Sequence, residues 1–166
     1  MSWYKQANNK AIFDKIKTIL KTNSFIRSLM SDYNISTEDI DQHLDFEIKE
    51  LDGKFAEGNG LLITLDPKLF AEKDFFKNKF HFVVHEFFHW IKRRSESKFY
   101  FNDSEEVQSF VLAIAWEIIA GKGSEEIYKS IYPIVEAHFE NKENSQEVFE
   151  DMIDKANKLI EVHQSS

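Results

Sequence analysis

The stretch "HFVVHEFFHWIKRR", residues 81–94, decides how this chain is read. Val83, Val84, Phe87 and Ile91 recur at helical spacing, and Phe76 and Phe80 carry the same stripe upstream. Apolar residues at that period mark a helix with one face in a core. A long helix is therefore predicted from about Glu72 to Arg94. Three histidines, His81, His85 and His89, lie four apart beside the stripe, and Glu86 follows the second of them.

His85 to His89 has the form H-E-x-x-H. Four residues is just over one helical turn, so His85 and His89 project side by side and can offer imidazole nitrogens to one Zn²⁺. Glu86 is turned by about 100° from His85, close enough to reach water on the metal without being a ligand. Zinc acidifies bound water, and a carboxylate so placed can take its proton and hand it to a leaving amine. His81, one turn earlier, is a ligand, a group that orients a ligand, or a bystander. Three ligands from three successive turns of a straight helix do not converge well on one point, whereas two neighbours do.

A catalytic zinc site takes three protein ligands and leaves one position for water. Lys92 and Ser95 stand where an extended H-E-x-x-H-x-x-G-x-x-H motif needs Gly and His. The next helix, predicted from an Asp103 or Ser104 cap to about Ala120, brings Glu105 and Glu106 in its first turn. With Val107, Phe110, Val111, Ile114 and Ile118 facing the core, Glu106 flanks that face and Glu105 points largely away. Glu106 is thus the expected third ligand, although Asp103-x-x-Glu106 is also a capping-box spacing. Glu117, set in "AIAWEII", is either a partly buried acid that orients a metal-helix histidine or a surface glutamate. Candidate donors for a developing oxyanion are Tyr128, Tyr132 and His138 on "EEIYKSIYPIVEAHF" and Tyr100 in the loop between the two ligand helices, although each reads more readily as a packed aromatic or a surface histidine; His138 and Tyr132 are the two retained.

The remaining sequence bounds the fold. At 166 residues, 42% of them hydrophobic, the chain suits one domain spanning residues 1–166 with a single core. It contains no cysteine, so disulfides and thiolate ligands are excluded and any metal must be held by His, Asp or Glu. A net charge of -8 opposes binding to nucleic acid or anionic lipid. The longest nearly apolar run, "FVLAIAWEIIA", is too short to span a bilayer, and the start lacks signal-peptide character, so a soluble, cytoplasmic protein with no membrane association is expected. One or two amphipathic helices are predicted between Tyr4 and Met30, and a short one after Ser36 or Thr37. Two or three strands follow, ending in "LLITL" before Asp66-Pro67. Helices over about Ser124–Phe139 and Ser145–His163 complete an α+β chain.

These residues resemble the gluzincin metallopeptidases, in which H-E-x-x-H is joined by a glutamate from a following helix. The string "EVQSFV" looks most similar to compact ImmA/IrrE-type and minimal members, and the resemblance covers about Gly60 to Ala120. It implies a zincin-like fold, one Zn²⁺ per chain held by His85, His89 and Glu106, and Glu86 as general base. It also implies an edge strand that lays a peptide beside the zinc, here "GLLITLD", making Leu61, Leu62, Ile63 and Thr64 substrate-binding. The expected partner is a peptide or protein substrate. Larger gluzincins carry an aspartate four residues after the glutamate ligand; Phe110 stands there, so the usual carboxylate behind a zinc histidine is missing or comes from elsewhere. A different class of protein, a catalytically idle regulatory or binding protein with a structural metal, shares the fold but has no need of Glu86. A helical interaction module without metal is the third reading.

Overall fold

The computed structural model describes residues 3–58, 62–70, 74–95, 104–139 and 144–164, with side chains from residue 8 onward. The fold is α+β and mostly helical. Helices α1 (Trp3–Thr22), α2 (Ser24–Asp32) and α3 (Thr37–His43) come first. The polar break between α1 and α2 is a cap, with the Asn23 side chain accepting from the Ile26 amide. Ser36 caps α3 in a reciprocal box with Asp39.

A three-stranded sheet follows, made of β1 (Asp45–Ile48), β2 (Ala56–Gly58) and β3 (Leu62–Leu65). Its order is β1-β3-β2, with β1 parallel and β2 antiparallel to β3. This corrects the expectation for "LLITL": β3 is the central strand, and both of its edges are already paired. Ile63 is buried and Thr64 donates its hydroxyl to Glu47, while Leu61 lies outside the described residues. The main-chain groups of Leu62, Ile63 and Thr64 are consequently not an open edge, and among the described residues that edge belongs to β2. Asp66 fastens the end of β3 by accepting from the amides of Leu51 and Lys68, both at 2.8 Å.

The predicted long helix is divided. A short α4 (Phe75–Asn78) and α5 (His81–Arg94) meet at Lys79 and Phe80, and Glu72 lies outside the described residues. The physical reason is aromatic packing. Phe80 stacks on Phe76 and lies 5.0 Å from the Trp116 ring, while Phe75 packs on both Phe70 and Phe76. Gathering these rings in one cluster outweighs an unbroken helix, because each ring removes a large apolar area from water.

Helices α6 (Glu105–Ile119), α7 (Ser124–His138) and α8 (Ser145–Gln164) complete the fold. Ser104 caps α6 by accepting from the Val107 amide. α6 is the central helix, packed against α5, α7 and α8, and nearly its whole circumference is buried. The core joins Val83, Val84, Phe87 and Ile91 of α5 to Val111 and Ile114 of α6, Ile131 and Val135 of α7, and Phe149 and Met152 of α8. Among the described residues no helix is long and apolar enough to cross a membrane.

Candidate metal centre

The antiparallel packing of α5 on α6 brings the histidines and glutamates together. His85 Nε2 lies 2.8 Å from Glu106 Oε1, and His89 Nε2 lies 3.2 Å from Glu106 Oε2. Two imidazole edges one helical turn apart thus converge on one carboxylate. On a tetrahedral cation with bonds of about 2.0 Å, ligand atoms stand about 3.3 Å apart. The observed spacings, each to a different oxygen of Glu106, are of that order, so these side chains are close enough to share a cation. His85, Glu86 and His89 also bring one potential ligand atom each within 4.8 Å of one another. Glu106 is not part of that group, yet it approaches both rings, whereas Glu86 Oε1 stands 3.9 Å from His85 Nε2.

A carboxylate does stand behind His89, from Glu105. Its Oε2 lies 2.6 Å from His89 Nδ1, which corrects the expectation that Glu105 points away. α6 is buried between neighbours on several sides, so its apolar stripe defines no single outward face. Glu105 and Ser109, four residues apart, are the sequence signal that was available. Ser109 is fully buried, donates to the Glu105 carbonyl and lies 3.3 Å from His89 Nε2.

Electrostatics follow from these contacts. Burial opposes protonation of His89, but hydrogen bonds to Glu106 and Glu105 and the charge of Glu86 outweigh it and raise its pKa to about 9. Hydrogen bonds from His85 and His89 hold the Glu106 carboxyl well below the usual range. Glu86 behaves in the opposite sense. Burial pushes its carboxyl up, against the pull of the two histidines. Its nearest strand neighbour is Gly58, where a Cβ would meet Glu86 Oε2 at 3.0 Å, so a glycine lets β2 pass close to the carboxylate.

A cleft of about 710 Å³ opens over these residues. Gly53 to Gly58 form one wall, α5 and α6 the floor, and α7 the opposite wall. Of the sequence-based oxyanion donors, His138 lines this cleft, its ring 5.7 Å from that of Phe110. Tyr132 does not: it stacks on Tyr128, packs on Phe149 of α8 and hydrogen-bonds Ser145, so its role is structural. Tyr100 lies outside the described residues. Glu117 orients no histidine; it is buried and ion-paired with Lys122.

His81 is buried at 3% exposure and lines the cleft without joining the ligand group. Burial, helped by the charges of Lys122 and Lys79, lowers its pKa to about 3. The folded protein therefore refuses a proton that the unfolded chain accepts below about pH 6.5. Stability is expected to fall as pH drops from about 6.5 towards 3. By pH 5 His81 should account for roughly 2 kcal/mol of this loss. Urea unfolding at pH 7 and pH 5 checks it: His81→Leu should lose less stability across that interval than wild type.

No family model matches the chain, and neither a curated protein nor a solved structure matches it.

Proposed function

We propose that this protein is a zinc-dependent endopeptidase of gluzincin type with a zincin-like fold. The observation that carries the reading is the convergence of His85 Nε2 and His89 Nε2 on the Glu106 carboxylate, with the partly buried carboxylate of Glu86 beside them. His85, His89 and Glu106 would hold the ion. When bound, zinc supplies Lewis acidity, polarising an amide carbonyl and acidifying water.

The chain's own groups do the rest. β2 offers its unpaired edge to an extended peptide, which adds to the sheet through main-chain hydrogen bonds. Gly58 keeps that edge clear of side-chain bulk where it passes Glu86. Glu86 takes a proton from the attacking water and returns it to the leaving amine, and a carboxyl raised by burial is better matched to that exchange near neutral pH than an ordinary glutamate. Glu105 holds the His89 ring by accepting from Nδ1, leaving Nε2 for the ion. The acidic chain and the peptide-sized, largely apolar cleft favour a peptide or protein substrate over nucleic acid.

Metal content by mass spectrometry on protein loaded with zinc, followed by hydrolysis of a mixed peptide pool with and without chelator, tests the reading. One zinc per chain and chelator-sensitive cleavage are expected; a His85→Ala protein with undiminished zinc would overturn it. Glu105→Ala should weaken zinc affinity by about 10- to 100-fold in competition with a chromogenic chelator. Glu105→Gln keeps an acceptor for Nδ1–H and should lose less.

A further inference from the structure

Beyond His85 the cleft continues into a recess between α5, α6 and α7. Phe82, Phe110, Ala113, Ile131 and Ile134 wall it, and His81 is the polar group among them. The His81 ring packs on Phe82 at 4.4 Å, and among the described residues no hydrogen bond reaches its nitrogens, which are not among the fully enclosed unpartnered atoms. An imidazole beside a cavity, with a donor and an acceptor unmatched by the described residues, is completed by a ligand that brings its own polar atom.

We propose that this recess selects the side chain next to the cleaved bond, taking residues with an apolar body and an uncharged hydrogen-bonding tip, tyrosine or glutamine. The proposal rests on the peptidase reading above. Length supports it: from His85 to His81 is one turn, about 6 Å along α5, which those side chains span and a serine or threonine does not. Ala113 leaves the space that a larger residue would fill. Charged tips are disfavoured for separate reasons. Lys122 and Lys79 place positive charge near His81, which repels lysine and arginine, while Lys122 is already paired with Glu117 and unavailable to a buried substrate carboxylate.

Peptide pairs differing by one polar tip at the flanking position, tyrosine against phenylalanine and glutamine against methionine, test the proposal on the zinc-loaded full chain. Wild type should cut the polar member about tenfold faster in kcat/KM. His81→Leu should erase or reverse that preference, and His81→Asn should restore part of it. Binding of the same uncleaved peptides to Glu86→Gln, followed by fluorescence anisotropy, should show the same order without turnover. Equal treatment of each pair by wild type, or a preference that persists in His81→Leu, overturns the recess assignment while leaving the peptidase reading intact. Absence of any Glu86-dependent cleavage overturns the peptidase reading; equal binding of each pair in the Glu86→Gln protein then overturns the recess as well.

Discussion

Glu86→Gln is expected to keep zinc bound and to lower peptide hydrolysis by about a thousandfold. The amide has the shape of the carboxylate, so it fits against Gly58 and between the metal helix and β2 as the glutamate does. What it lacks is the ability to take a proton from water and return it. Because burial already works against the charged form of Glu86, the neutral replacement adds little cost to folding. Parallel measurement of metal content, urea midpoint and hydrolysis separates the alternatives. Retained zinc with lost cleavage assigns Glu86 to proton transfer. Lost zinc would place it in the ligand set instead, in line with its position in the compact His85, Glu86 and His89 group. Undiminished cleavage would remove it from the reaction altogether.

Glu106→Ala should reduce zinc affinity by about a hundred- to a thousandfold. Structural zinc sites with four ligands bind with about 10–16 kcal/mol, so one ligand accounts for about 3–4 kcal/mol of that. The same carboxylate also holds both imidazoles in place, accepting from His85 and His89. Without it the two rings lose their common anchor, and the site must be rebuilt each time the ion binds. Confusion with a helix-capping effect is avoided, because the Ser104 hydroxyl accepts from the Val107 amide and caps α6 independently. Competition dialysis against a zinc-selective chelator reads the effect. An affinity equal to wild type would mean that Glu106 only supports the start of α6.

Zinc loading of the wild-type protein would also displace protons. In the metal-free protein His89 is held protonated by Glu106 and Glu105, with a pKa raised to about 9. That stabilising interaction is fully present below the unfolded value of about 6.5 and is lost as pH rises through about 9. A divalent ion in the same place would take over the attraction to Glu106.

Much of the candidate site is written in local spacing. His85 and His89 meet because four residues make one turn, and Glu86 lies beside them for the same reason, whatever the rest of the chain does. Glu106 was legible from its place in the first turn of a following helix. Caps and turns were equally local: Ser36, Ser104 and Asp66-Pro67 mark boundaries that the structure keeps. Only tertiary structure decided the rest. Glu105 reaches His89 because α6 is enclosed by several neighbours, so an apolar stripe could not say which side chains face inward. Strand order is a long-range pairing, and β3 lost its expected edge when β1 and β2 flanked it. The helix before His81 is broken by a cluster of phenylalanines gathered from separate segments. Tyr132 and Glu117 found their partners in α8 and in the turn after α6, not at the cleft. A periodicity fixes which residues share a face; what that face meets depends on how every other element packs against it.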